Sequence, residues 1–184
     1  QKLRARSSAI LTGVGTVLAD DPFLNVRHVD DWYPHGESIR QPLKVVVDSE
    51  LRMPTSARIL NDAKVLLFTA CERMVRADVE TIVLPAPNNQ VDLSGMLAVL
   101  AKREINEVMV EAGAVLNGAL LRSQLIDEMI FYVAPKLMGD AARAVFHLPG
   151  MDRMAQNIQL HITDIRAIGQ DWRITAVPEY NEAF

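Results

Sequence analysis

Residues 43–49, LKVVVDS, form a continuous β-branched run. A run of that kind suits a strand buried on both faces, as in a parallel sheet. SSAIL, AKVLLFTA, ETIVLPA and NEVMVEAG read as buried-type strands too, the last ending in an acid and a glycine. Helical patterns lie between them. DLSGMLAVLAKREI carries Leu93, Met96, Leu97 and Leu100 at helical spacing, and AVLNGALLRSQLI is helical by pattern. SSAIL enters a TGVG turn, and TVLAD then makes a brief helix that Pro22 cannot continue. QKLRAR reads as the tail of a helix, SARIL as one helical turn and PNNQ as a turn. Residues 25–42, with Pro34, Gly36 and Pro42, read as a polar surface loop. DEMIFYVAPKLMG is a long strand broken by Pro135, and the tail is a hairpin joined near residues 169–171. Strands alternating with helices and closing on an antiparallel pair predict an α/β fold. Its mostly parallel central sheet is flanked by helices and ends in a C-terminal antiparallel hairpin. With no repeat and no convincing linker, residues 1–184 read as one domain.

The chemistry is bounded by composition. With 184 residues, 49% hydrophobic and 23% charged, the chain can bury a sizeable core. A net charge of −4 argues against a nucleic-acid surface, though not against a small anionic ligand. The single cysteine, Cys71, excludes an internal disulfide framework and suits a reducing compartment. The four histidines are far apart, and none has a cysteine or second histidine at ligand spacing, so no metal site is expected. No apolar run approaches the ~20 residues needed to span a bilayer.

The segment VMVEAGAVLNGALL, residues 108–121, is the strongest candidate site. Ligands of open α/β sheets sit outside the carboxyl ends of strands, and a glycine turn leading into a helix N-terminus suits a phosphate. Gly118 inside the helix costs about 1 kcal/mol against alanine, which points to close approach by a ligand or a neighbouring strand. The alternative for the whole segment is plain helix–sheet packing. No GxGxxG and no GxxxxGK[ST] is present. Glu111 either partners the next helix or aims into a cleft, and its place beside the glycine turn favours the cleft. Asp20 and Asp21 fall at the C-terminal end of a short helix, where negative charge needs compensation. A carboxylate pair invites a metal or a glycosidase, but no third carboxylate follows at useful spacing. Arg4 and Arg27 bracket that segment, either solvated or anchoring a phosphate or carboxylate. Asp48, Ser49 and Arg52 follow another strand, suiting a 2′-phosphate or making an ordinary turn.

Three segments together carry a resemblance: LRARSSAILTGVGTVLADDPFLNVR, QPLKVVVDSELRMP and VMVEAGAVLNGALLRSQLIDEMIFYVAPKLMG. They resemble the reductase domain of the bifunctional riboflavin-biosynthesis family RibD, the pyrimidine deaminase/reductases. The resemblance implies a dihydrofolate-reductase-like fold. It implies NADPH-dependent reduction of 5-amino-6-(5-phosphoribosylamino)uracil to the ribitylamino compound, hydride reaching the first ribose carbon after the ring opens as a Schiff base. Carried over residue by residue, it makes Thr16, Asp20 and Ser49 cofactor contacts. Gly113, Ala114, Val115, Leu116, Asn117, Gly118 and Ala119 become the cradle for the NADPH phosphate. Arg4, Leu24 and Arg27 become substrate contacts, the arginines suiting the ribose phosphate. Glu111 becomes a substrate carboxylate that holds the sugar or supports proton transfer. The family also implies a cytoplasmic homo-oligomer (dimer or tetramer), with no nucleic-acid or membrane partner.

Two family features are absent from the 184 residues: an opening strand with a lysine, an SLDG-type turn and a Ser/Trp segment, and the zinc-dependent deaminase domain. The sequence is therefore expected to be part of a longer protein. Two other readings stay open: another dihydrofolate-reductase-like reductase of a pterin or pyrimidine, and a non-catalytic nucleotide-binding or dimerisation domain.

Overall fold

The computed structural model describes residues 1–27, 39–61, 64–72 and 79–180. Most of the expected surface loop, with Pro34, Gly36, His28 and His35, lies outside the described residues. The chain divides into two compact units, Gln1–Gly113 and Ala114–Phe184.

In the first unit a short helix α1 (Lys2–Arg6) precedes strand β1 (Ala9–Gly13) and helix α2 (Val14–Asp20). Then come β2 (Leu43–Val47), β3 (Val65–Thr69) and β4 (Glu80–Val83). A small antiparallel pair, β5 (Pro85–Ala86) and β6 (Gln90–Val91), leads to α3 (Leu93–Lys102) and β7 (Val108–Val110). The five longer-range strands make one parallel sheet in the order β4-β3-β2-β1-β7. Ile10, Leu11, Leu66, Leu67 and Phe68 are at most 1% exposed. Each contributes about 1.5–3 kcal/mol of apolar burial. On α3, Asp92 accepts the Gly95 amide at 3.0 Å and caps the helix start.

The centre of the sheet is as the apolar runs predict, but the edges differ. ETIVLPA and NEVMV read as buried strands, yet Val83 in β4 is 39% exposed and Val110 in β7 is 37% exposed. Both are edge strands, where one side of the backbone has no sheet partner. No turn separates β1 from α2: Gly13 is the extended residue before the helix, and Gly15 lies within it. Inside the LKVVVDS run, Lys44 is fully buried. Its ammonium donates to the carbonyls of Ile59 and Asn61 at 3.3 and 3.4 Å, around the 3₁₀ turn Arg58–Leu60.

The second unit holds α4 (Ala114–Arg122), β8 (Met129–Val133), β9 (Gln159–Ile168) and β10 (Asp171–Glu179). The sheet is antiparallel in the order β8-β10-β9, and the β9–β10 hairpin turns at Gly169, whose φ is +63°. The strand expected to run through DEMIFYVAPKLMG stops at Val133, and Leu137 beyond it is fully exposed. A strap of irregular chain holds α4. The His147 amide donates to the Ala114 carbonyl at 2.9 Å, Asn117 Nδ2 to the Val145 carbonyl at 3.1 Å and Arg122 Nη1 to the His147 carbonyl at 3.2 Å. The close approach that Gly118 implied is made by this strap: a Cβ on Gly118 would lie 2.1 Å from the His147 carbonyl oxygen.

Tyr180 closes the unit. Its hydroxyl accepts from the Ile126 amide at 3.2 Å and donates to the Ile126 carbonyl at 3.0 Å. Burial, first of all, raises its pKa above the usual tyrosine value. A raised folded value means its contribution is complete below the unfolded pKa and is lost as pH rises through the folded one. Tyr180→Phe is expected to cost about 1–2 kcal/mol at pH 7 by urea titration. It should also flatten the loss of stability above about pH 10. An unchanged alkaline slope would assign that slope to other groups.

Candidate active site

In the first unit the chain steps from β1 through β2 and β3 to β4 on one side, and β7 then returns to the other side of β1. The topological switch point therefore lies at the carboxyl ends of β1 and β7, where ligands of open α/β sheets bind. The sequence there is Thr12 and Gly13 on one strand and Glu111 just past the other. Glu111 follows β7 rather than ending it, yet its main chain is fixed on both sides. Its amide donates to the Leu11 carbonyl at 2.9 Å, and its carbonyl accepts from the fully buried Thr12 hydroxyl at 2.8 Å.

The Glu111 carboxylate meets Arg4. Nε donates to Oε1 at 2.5 Å and Nη2 to Oε2 at 2.7 Å, a two-point fork. The third guanidinium nitrogen, Nη1, donates to the Asn25 carbonyl at 2.9 Å. The two side chains are 15% and 26% exposed. Two residues along α1, Arg6 pairs with Glu107 at 2.9 Å, so the helix runs antiparallel to β7 and is held at two points.

Residues 24–27 have no regular structure but are pinned by side-chain amides. Gln41 Oε1 accepts from the Val26 amide at 2.8 Å, and Gln41 Nε2 donates to the Val26 carbonyl at 3.2 Å. Gln1 Oε1 accepts from the Arg27 amide at 2.8 Å. Leu24 sits at φ 53° with its side chain in the core, 5% exposed, so it has only main-chain atoms to offer a ligand. A left-handed leucine costs about 1–2 kcal/mol, and strain of this kind collects at functional sites. Arg27 is exposed, and among the described residues no partner holds its guanidinium. Asn25 Oδ1, beside this cluster in the chain, is buried with no hydrogen-bond partner.

The expected cofactor residues divide by unit. In the first, a Cβ on Gly113 would meet only the Thr16 hydroxyl, at 3.7 Å, so Thr16 and Gly113 flank one open spot. Ser49 is part-exposed past β2, in a loop that the fully buried Asp48 organises by accepting the Met53 amide at 2.7 Å. Asp48 Oδ1 is a second orphaned buried acceptor. Arg52 pairs with Glu50 at 3.3 Å on the surface. Asp20 is exposed at the end of α2. Asp21 takes the left-handed cap position at φ 40°, and its carboxylate accepts the Arg58 amide at 2.8 Å, so it ties α2 to the 3₁₀ turn. Arg58 in turn stacks over the Phe23 ring at 4.0 Å. In the second unit, Val115 near the start of α4 is 71% exposed, while Leu116 is 9% exposed and Gly118 is buried under the strap. Among the described residues no group of three His, Cys, Asp or Glu is placed to hold a metal. None of their helices is long and apolar enough to cross a membrane.

The family model of the RibD C-terminal domain matches residues 1–174. The chain belongs to the RibD C-terminal domain family. It is 40% identical over 180 residues to the riboflavin biosynthesis protein RibD of Escherichia coli, covering 93% of this chain and 49% of that protein. A Buchnera aphidicola protein named 5-amino-6-(5-phosphoribosylamino)uracil reductase is 32% identical over 188 residues, covering 97% of this chain and 90% of that protein. The solved structure of Acinetobacter baumannii RibD superposes with a TM-score of 0.82 at 36% identity, over 97% of this chain and 49% of that one. The chain spans about half the length of the first RibD proteins it matches. The fold of this RibD C-terminal domain is dihydrofolate-reductase-like, with the five-stranded parallel sheet and the terminal hairpin that the strand pattern predicts. Thr12, Asn25, Gln1 and Gln41 complete the geometry without figuring in the sequence reading. Their signal was weak, because each acts on a main-chain group that sequence does not display.

Proposed function

We propose that this chain is a reductase of 5-amino-6-(5-phosphoribosylamino)uracil in riboflavin biosynthesis. The observation that carries the reading is the fork-held Glu111 carboxylate at the switch point, with the Thr16–Gly113 spot alongside it in the same unit. The whole-length match to the Buchnera reductase supports the choice of reaction. A reductase of this kind needs a nicotinamide cofactor, and the proposed form is NADPH. Bound, it supplies a hydride to the first ribosyl carbon of the ring-opened imine, while a proton goes to the nitrogen.

The chain's own residues then divide the remaining work. Glu111 holds the sugar hydroxyls and stands by for proton transfer. Leu24 contributes main-chain atoms. Thr16, Gly113, Ser49 and Asp20 hold the cofactor in the first unit. In the second unit, taken by itself, the start of α4, residues 114–119, offers amides suited to a phosphate. The two orphaned acceptors, Asn25 Oδ1 and Asp48 Oδ1, suit a site that gains donors when a ligand binds. A zinc-dependent deaminase in the same protein, a cytoplasmic location and a homo-oligomer belong to the same proposal. Exposed Trp172, Ile165 and Tyr132 give an oligomer apolar surface to cover.

The test is NADPH oxidation with the deaminated phosphoribosylamino pyrimidine, its 2-amino precursor and dihydrofolate as rival substrates. Turnover of the first alone is expected, with NADPH preferred over NADH. Preference for the precursor or for dihydrofolate would assign another reductase. No turnover together with no NADPH binding by fluorescence titration would leave a non-catalytic module.

A further inference from the structure

We propose that Asp21 and Arg58 are positioning residues: they fix where Asp20 meets the cofactor and where the Leu24 main chain meets the substrate. The proposal rests on the reductase reading and concerns the first unit alone. Asp20 and Leu24 bracket the segment Asp21, Pro22, Phe23. Asp21 at φ 40° and Leu24 at φ 53° are both left-handed, and neither is glycine. Such residues keep that conformation only where their surroundings over-determine it.

Three anchors do so, and all belong to the 3₁₀ turn Arg58–Leu60 and the residue before it. The Asp21 carboxylate accepts the Arg58 amide at 2.8 Å. The Arg58 guanidinium lies 4.0 Å from the centre of the Phe23 ring. The Leu24 side chain is buried in the same apolar cluster as Ala57 and Ile59. The turn is itself fastened to β2, because the fully buried Lys44 donates to the carbonyls of Ile59 and Asn61. An apolar side chain at position 44 would fill core as well. An ammonium buried against its desolvation cost adds a fixed place for the main chain of the turn. Asp21 also closes α2, its amide donating to the Val17 carbonyl at 3.0 Å. A shift of Asp21 therefore moves the last turn of α2 and residues 22–24 together. Misplacing a site by about 1 Å can cost about 100-fold in rate even when the change lies away from the chemistry.

The experiment measures kcat/KM for the phosphoribosylamino pyrimidine and the NADPH dissociation constant by fluorescence titration. Both are read on the full chain, well below the melting point of each variant. Asp21→Gly removes the carboxylate hook and keeps the left-handed backbone. It is expected to lower kcat/KM about 10-fold and to weaken NADPH binding about fivefold. Asp21→Asn keeps an acceptor oxygen and tolerates the same φ, so both quantities should stay within about twofold of the parent. Arg58→Ala leaves the main-chain bond to Asp21 and removes only the stack on Phe23, so kcat/KM should fall about threefold. Arg58→Lys returns a cation to the ring and should recover most of that loss. Parent values of both quantities in Asp21→Gly overturn the proposal, as do parent values in Arg58→Ala where Asp21→Gly does not fold. Asp21→Asn as impaired as Asp21→Gly overturns it too. A parent chain that binds NADPH without turning over the pyrimidine brings down the reductase reading instead, and the NADPH constants of the variants then decide the placement of Asp20. Absence of NADPH binding by the parent brings down both.

Discussion

Alanine at position 118 is expected to destabilise the fold by about 3 kcal/mol or more, lowering the melting temperature of the 184-residue chain by roughly 6–12 °C. Gly→Ala within a helix ordinarily gains about 1 kcal/mol, so the sign itself is diagnostic. The loss comes from the strap over α4. The new methyl carbon would lie 2.1 Å from the His147 carbonyl oxygen and 2.9 Å from its carbon. That oxygen also accepts from Arg122 Nη1, and the His147 amide is bonded to Ala114. Moving the strap away therefore breaks hydrogen bonds at both ends of the helix. Gly15 provides the opposite case. A Cβ there meets nothing within 4 Å, so Gly15→Ala should gain about 0.5–1 kcal/mol. Melting followed by circular dichroism would decide both. Equal stability of Gly118→Ala and the parent chain would show that the strap does not bear on the helix.

Glu111→Gln should lower kcat/KM about 100-fold or more, a loss of roughly 3 kcal/mol of transition-state stabilisation. The amide keeps the size of the side chain but puts an NH2 donor where one of the two acceptor oxygens stood, so the fork is lost, and it leaves the 15%-exposed Arg4 without a counter-charge. Glu111→Asp retains the charge but draws it back by one methylene, so it should fall between parent and amide. The main chain at 111 is fixed by Leu11 and Thr12, so neither change should shift the backbone. Steady-state kinetics with a parallel melt separates chemistry from folding. Turnover within about threefold of the parent would remove Glu111 from the mechanism.

The central strands were legible because burial on both faces leaves an unbroken apolar run, as in β1 to β3. The same composition could not tell a central strand from an edge one, and β4 and β7 are edges. Edge position depends on partners elsewhere in the chain. TGVG reads as a turn although Gly15 lies inside α2, because a glycine near a helix start has the same local signature as one before it. At the site, Arg4 and Glu111 were each singled out, but as separate substrate contacts. Their pairing was invisible, since no local pattern links residues 107 apart. The burial of Lys44 is hidden for a related reason: it depends on carbonyls of a turn fifteen and more residues later.

The separation between Arg4 and Glu111 has a kinetic consequence. Closing a loop of 107 residues costs about 4 kcal/mol of chain entropy before any contact repays it. The Arg6–Glu107 rung spans 101 residues and faces the same cost. Contacts of such high order form slowly, and a chain emerging from the ribosome holds Arg4 long before Glu111 exists. The carboxylate site is therefore assembled only once β7 has docked against β1. Reductive activity should appear as a late event in refolding, behind the recovery of the central strands.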